Sequence, residues 1–212
     1  MSAACPAVAV MDYGIGNLRS AQKSLERVGA KASLTADHDE ILAADGVVLP
    51  GVGAFGPCMA AIRGLGLDAV ARRVAEQGRP FLGICIGAQV MFEASAEAPG
   101  VPGLGVLPGT VELLPDGVRR PQMQWNRLDV RRPDHPLFAG QPPEPWMYFV
   151  HSYAPVTDDD LVLATCDYGG TVVAAVGRGA VAAVQFHPEK SGEHGRVLMH
   201  SFVAGLPCSV PA

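Results

Sequence analysis

Two short segments carry residue types suited to covalent catalysis. In Gly83-Ile84-Cys85-Ile86-Gly87 a cysteine sits between glycines, after an apolar run and before a helix-like stretch. The spacing is that of the nucleophile elbow G-x-S-x-G, with sulfur replacing oxygen. The glycines permit a sharp turn that holds the nucleophile strained and exposed. A helix start beside Cys85 would favour its thiolate, and the backbone N–H of Ile86 could meet a developing oxyanion. A packing cysteine is the plain alternative, because free cysteine is among the most buried residue types.

A nucleophilic cysteine needs a base, and the base needs an orienting group. His187, in Gln185-Phe186-His187-Pro188-Glu189-Lys190, ends an apolar strand-like run. Residues i and i+2 of an extended segment face the same side, and Pro188 biases His187 towards extended geometry. The pattern therefore predicts Glu189 beside the imidazole, holding its tautomer. A chance pair on a surface turn is the alternative. The order Cys…His…Glu departs from the nucleophile…acid…base order of α/β-hydrolases.

A third segment, Pro50-Gly51-Val52-Gly53, closes another apolar run. Glycines there let backbone amides approach a substrate, so Gly51, Val52 and Gly53 are candidates for a second oxyanion donor. A simple turn is the alternative. The segment is not a Walker loop, and the Gly-x-Gly of Asp12–Asn17 lacks the third glycine of a dinucleotide site, since position 19 is Arg19. No His/Cys/Asp cluster has metal-site spacing. Asp158-Asp159-Asp160 reads as a solvated turn, and neither metal nor cofactor is expected.

The elements that must position these residues alternate in the first half. Ala7–Met11, Gly46–Leu49 and Phe81–Ile84 read as buried strands. Helices are expected from Leu18 to a stop at Gly29, with Asn17 as cap, and over Phe55–Arg63, Asp68–Gln77 and Ala88–Ala94. Unbroken apolar strands joined by helices imply a parallel sheet covered on both faces. In the second half, Val111–Leu114, Trp125–Val130, Trp146–Val150, Leu161–Thr165, Thr171–Val176 and Val181–Phe186 are short strand candidates, read as β-hairpins added to the sheet. His194–Val203 is a closing helix. Ala94–Gly109 and Arg132–Pro145 are Pro/Gly-rich loops. The reading is one α/β domain over residues 1–212, with a mostly parallel central sheet flanked by helices.

Composition agrees. The 212 residues are 49% hydrophobic and 17% charged, which excludes a disordered chain. A net charge of −5 argues against nucleic acid as a partner. No apolar run reaches the ~18 residues of a membrane span, and Met1–Val10 lacks the basic leader of a signal peptide. The five cysteines, Cys5, Cys58, Cys85, Cys166 and Cys208, are odd in number and show no CxxC spacing. A disulfide framework is therefore not expected, and a cytoplasmic location is.

Gly83-Ile84-Cys85-Ile86-Gly87-Ala88-Gln89 and Gln185-Phe186-His187-Pro188-Glu189-Lys190-Ser191 resemble the two signatures of class I (triad) glutamine amidotransferases. Further segments resemble one branch of that class, the glutaminase subunits of imidazole glycerol phosphate synthases in histidine biosynthesis. They are Met11–Leu18, Leu49–Phe55, Pro121–Asn126 and Tyr148–Tyr153, so the likeness spans essentially the whole chain. Gln124 stands where related sequences carry glycine.

The resemblance implies hydrolysis of L-glutamine to glutamate and ammonia through a Cys85 thioester, with His187 as base and Glu189 as orienter. Ammonia would pass to a separate (β/α)8-barrel cyclase subunit in a heterodimer. The cyclase product would be imidazole glycerol phosphate with an aminoimidazole-carboxamide ribotide. By the same resemblance, Gln89, Ser152 and Tyr153 contact glutamine. Asn17, Trp125, Asn126, Tyr148, His151 and Lys190 lie near the partner or the ammonia passage; a core role is the alternative for Trp125 and Tyr148. Competing readings are a class I glutaminase serving another synthase, a stand-alone cysteine hydrolase, and a non-catalytic subunit with the same fold. A requirement for the cyclase would discriminate among them.

Overall fold

A computed structural model describes residues 5–207 of the chain. Cys208 and the ends of the expected 1–212 span lie outside the described residues. The elements run β1 (Ala7–Met11), α1 (Leu18–Arg27), β2 (Lys31–Thr35), α2 (His38–Ala43), β3 (Gly46–Gly51), α3 (Phe55–Gly64), α4 (Leu67–Glu76), β4 (Phe81–Cys85) and α5 (Ile86–Gln89). Then follow β5 (Ala94–Ser95), β6 (Thr110–Leu113), β7 (Gln122–Arg127), β8 (Asp129–Val130), β9 (Trp146–His151) and β10 (Tyr153–Val156). The chain closes with β11 (Val162–Asp167), β12 (Thr171–Arg178), β13 (Val181–Val184) and α6 (Gly192–Ala204).

Eight strands form the central sheet in the order β2-β1-β3-β4-β13-β12-β11-β8. The first five are mutually parallel, and the last three add antiparallel pairings. Of these, β1, β3, β4 and β13 are apolar on both faces because each face carries helices, while β2 is the partly buried edge. Alternate residues serve opposite cores. Val8, Val10, Val48, Leu82 and Ile84 join one cluster with Leu25 of α1 and Leu198 and Phe202 of α6. Ala9, Met11, Val47, Leu49 and Phe81 join the other with Ile41, Phe55, Met59, Ile62, Leu67 and Val74 of α2, α3 and α4.

The structure differs from the sequence reading at several places. The β11–β12 and β12–β13 hairpins do extend the central sheet, but β7 and β9 pair apart from it as a two-stranded ribbon, and β10, β6 and β5 form a small sheet of their own. The expected strand Trp125–Val130 divides into the end of β7 and β8. The expected helix Ala88–Ala94 is instead a single turn beginning at Ile86; beyond it Met91 and Phe92 make only i→i−3 bonds, to Ala88 and Gln89. Asn17 stands before α1, yet its side chain makes no capping hydrogen bond.

Candidate active site

The carboxyl ends of β3 and β4 and the turn after β13 meet at one point, and a cavity of about 280 Å³ opens there. Open α/β sheets bind ligands at such carboxyl ends. Cys85 is the last residue of β4. Its φ of +56° is the only positive value at a non-glycine among the described residues. That backbone strain costs roughly 1–3 kcal/mol and persists only where packing enforces it. The flanking glycines show how. A Cβ at Gly83 would lie 2.8 Å from Ala88 Cα, and one at Gly87 would collide with the Leu49 carbonyl of β3. The elbow is sharp because the residues two places away on either side, Gly83 and Gly87, carry no Cβ, and Cys85 is turned into the cavity as a result.

His187 follows β13 with extended backbone, its N–H donating to the Tyr148 carbonyl at 2.9 Å. Ser191 clamps the same place: its hydroxyl donates to the His187 carbonyl at 2.6 Å and accepts from Tyr148 N–H at 2.9 Å. Glu189 does reach the imidazole, Oε1 lying 2.7 Å from His187 Nδ1. The route is not strand alternation, however. Pro188–Lys190 form a 3-10 turn, which folds the carboxylate back under the ring. Burial pulls His187 down, but the Cys85 sulfur and the Glu189 carboxylate outweigh it and raise its pKa to about 9. A proton on His187 beside Cys85 is the charge state a thiolate–imidazolium pair requires.

Val52, Gly53, Ile86, Gln89, Ser152, Tyr153 and His151 line the same cavity. Gly51 does not. It pairs with Cys85 in the β3–β4 register, and a Cβ there would collide with the Tyr13 hydroxyl and lie 2.5 Å from Ile86 Cγ2. Tyr13 in turn donates to the Pro50 carbonyl at 2.9 Å, and the Cys58 thiol faces the Val52 carbonyl at 3.8 Å. The two glycines thus serve differently: Gly51 packs against a buried phenol while Gly53, at φ +113°, turns the chain into the cavity wall.

Of the residues expected near a partner, His151 is buried in the cavity wall. Its Nδ1 lies 2.8 Å from the Tyr153 carbonyl, and burial lowers its pKa to about 4. Trp125 is 48% exposed, which removes the core alternative for it, and packs edge-on against half-buried Tyr148 at 5.9 Å. Lys190 is exposed on the turn beside His187, and Asn17 is exposed ahead of α1. Asn126 is engaged elsewhere, its Nδ2 donating to the Asp167 carbonyl at 2.9 Å.

Four residues at the site are not among the candidates named from the sequence: Glu97, Pro121 and Val150 in the cavity wall, and Gln185 beside Cys85. Glu97 lines the cavity from a loop with no local signal, its Oε2 accepting from Phe55 N–H at 2.7 Å, while Pro121 opens the segment Pro121–Asn126 already marked by the resemblance. Gln185 is 1% exposed, with its side-chain amide between Gln89 and Cys85. Its position two residues before His187 was the available signal. Among the described residues no group of three His, Cys, Asp or Glu side chains could hold a metal.

The chain has relatives among known proteins. The family model for glutamine amidotransferase class-I matches residues 9–205. The chain is 48% identical over 209 residues to the imidazole glycerol phosphate synthase subunit HisH of Synechococcus sp. (strain JA-3-3Ab), covering 97% of this chain and 96% of that one. It is 49% identical over 203 residues to the HisH subunit of Thermosynechococcus vestitus, covering 94% and 97%. The structure of PurLQS from Thermotoga maritima superposes with a TM-score of 0.76 at 23% identity, over 95% of this chain and 99% of that one. A crystal structure of a glutamine amidotransferase gives 0.73 at 23%, over 93% and 98%. These two likenesses speak for the fold. With the sequence relatives beside them, the chain belongs to the class I glutamine amidotransferases and, within them, to the HisH family of imidazole glycerol phosphate synthase subunits.

Proposed function

We propose that glutamine hydrolysis by this amidotransferase runs through Cys85, His187 and Glu189. The observation that carries this reading is the buried His187–Glu189 pair of 2.7 Å facing a strained cysteine across one cavity. The Cys85 thiolate attacks the side-chain carboxamide carbon of glutamine. The resulting oxyanion is met by Ile86 N–H and by an amide of the Gly51–Gly53 segment, Val52 or Gly53 being the members that line the cavity. His187 gives its proton to the departing nitrogen, and ammonia leaves behind a γ-glutamyl thioester. Neutral His187 then takes a proton from water, hydroxide attacks the thioester, and glutamate departs with thiolate and imidazolium restored. Glu189 holds the imidazole throughout. Gln89, Ser152 and Tyr153 bind the substrate from the cavity wall.

The ammonia serves a (β/α)8-barrel cyclase subunit that makes imidazole glycerol phosphate and an aminoimidazole-carboxamide ribotide in histidine biosynthesis. Exposed Trp125 and Lys190, with Tyr148 packed on Trp125 and its carbonyl bonded to His187 N–H, support a docking face on this side of the molecule. The reading places the heterodimer in the cytoplasm, which suits the free thiols of Cys5, Cys58, Cys85 and Cys166. Among the described residues no helix is long and apolar enough to cross a membrane.

The deciding experiment is glutamate release from glutamine by the purified chain alone, with the cyclase subunit, and with cyclase plus its nucleotide ligand. Low activity alone and a large rise in the full complex is the expected result. High activity alone, or no response to the cyclase, moves the chain to another synthase or to free hydrolysis. Loss of all turnover in Cys85→Ala is expected in every arm, and appreciable residual turnover removes the thioester route.

A further inference from the structure

A chain of buried amides leads from the cavity wall to the cysteine, and its direction is set at one end. The Tyr153 carbonyl can only accept a hydrogen bond. Gln89 Nε2 lies 2.9 Å from it, so that end of the Gln89 amide is the NH2 group. The same nitrogen lies 2.9 Å from the Gln185 side chain, which must therefore turn its oxygen towards Gln89. The Gln185 NH2 group is left facing Cys85 Sγ, at 4.0 Å. Gln89 and Gln185 are 4% and 1% exposed, so water does not compete for these bonds. The Gln185 backbone is fixed as well. Its N–H donates to the Ala174 carbonyl at 2.9 Å, and Val184 before it pairs with Ile84 before Cys85.

A donor aimed at sulfur favours the thiolate, because an anionic sulfur accepts far better than a thiol. The elbow has need of such a donor. The helix that begins at Ile86 is one turn long, too short to lend Cys85 the field of a full helix.

We propose that Gln185 is a positioning residue for the nucleophile: its side-chain amide, locked by Gln89, presents a fixed N–H to Cys85 and favours the thiolate. The inference rests on Cys85 being the nucleophile. It also makes Gln89 a residue with two duties, one towards substrate and one towards the orientation of Gln185.

The test is the pH profile of iodoacetamide alkylation at Cys85 in the full chain, with the modified site assigned by peptide mass analysis. Gln185→Met keeps the bulk and removes the donor. Gln185→Glu keeps an oxygen for Gln89 and sets a second oxygen against the sulfur. The other ionisable groups around Cys85 are His187 and Glu189 after β13, His151 of β9, Tyr13 and Cys58 beneath the Gly51 segment, and Glu97. Gln185→Met alters none of these, so its profile isolates the amide; Gln185→Glu adds a carboxylate of its own and tests the sign, since an acceptor or anion facing the sulfur opposes the thiolate. In both variants the midpoint of the profile is expected to move up by about one unit, a tenfold loss of alkylation rate on the acid side of the profile. Glutaminase kcat falls with it while KM for glutamine changes little. Profiles that superimpose on the parent's, with kcat reduced, would reduce Gln185 to a packing residue and overturn the proposal. If neither variant folds, Gln89→Met frees the Gln185 amide to rotate, and the same upward movement is expected at smaller size; an unmoved midpoint there also overturns it. A parent chain in which Cys85 is alkylated no faster than exposed Cys5 removes the nucleophile assignment itself, and this inference with it.

Discussion

His187 Nδ1 stands 2.7 Å from Glu189 Oε1 with both side chains almost wholly buried. A carboxylate accepts only, so Nδ1 carries the hydrogen and Nε2 is the end free for proton transfer. Among the described residues neither Nε2 nor Glu189 Oε2 has a partner at hydrogen-bond distance. His187→Ala removes the base and is expected to lower glutaminase kcat by about 10²–10⁴-fold. Glu189→Gln keeps the base but lets the ring choose its tautomer, so a smaller loss is expected. Steady-state glutamate release by the two variants in the full complex checks the order. Equal losses would separate Glu189 from an orienting role.

The Gly51 segment is held by a buried phenol. Tyr13→Phe leaves the Pro50 carbonyl without its donor, which costs about 1–3 kcal/mol. Gly51→Ala is expected to destabilise as well, since its Cβ meets the Tyr13 hydroxyl and Ile86 Cγ2. The first obstacle is the hydroxyl, so the double variant should be less unstable than the sum of the two. Denaturant unfolding of the four proteins gives the coupling directly. Strict additivity would show that the phenol and Gly51 do not bear on one another.

His151 sets an acid limit on stability. Burial lowers its pKa to about 4, whereas an unfolded chain titrates near 6.5. Between those values the unfolded chain holds the extra proton, so stability falls as pH drops through that window. The window is worth roughly 3 kcal/mol at one unit per 1.36 kcal/mol. His151→Gln cannot take up that proton and should show a flatter stability curve from pH 6.5 to 4. His187 acts in the opposite direction: its pKa is raised to about 9, so its contribution is complete below 6.5 and fades as pH climbs through 9. Equal slopes on the acid side for parent and His151→Gln would remove His151 as the source.

The meeting of Cys85, His187 and Glu189 was legible because its signals are local. Glycines on both sides of Cys85 and a proline between His187 and Glu189 dictate backbone shape at short range. The buried strands β1, β3 and β4 read as continuous apolar runs for the same reason. Strand β2 did not, since Lys-Ala-Ser-Leu-Thr forms the outer strand of the sheet and is only partly buried. Helix α2 had a signal that went unread: Asp37 accepts from Glu40 N–H at 2.9 Å, an N-terminal cap three residues before an acid. What the sequence withheld is long-range. The separation of the β7–β9 ribbon from the main sheet depends on which strands find partners elsewhere. The bond from Gln89 to Gln185 crosses 96 residues, and only a folded chain brings the two amides together.

That ribbon carries the last prediction. Met123, Trp125 and Trp146 are 62%, 48% and 46% exposed, a cluster of large apolar side chains that a free surface seldom keeps. Arg127 stands over the Trp146 ring at 6.0 Å, and Trp125 meets Tyr148, whose carbonyl holds His187 N–H. A partner seated here would therefore press on the strand that fixes the base. Trp125→Ala is expected to weaken association with the cyclase by about 30-fold or more, the loss of a central aromatic anchor worth ~2 kcal/mol. Lys190→Ala, a single exposed charge, should cost less. Because Trp125 lies outside the core, the melting temperature of the free chain should hardly move. Titration calorimetry against the cyclase reads the affinity, and an unchanged affinity in both variants would place the docking face elsewhere on the molecule.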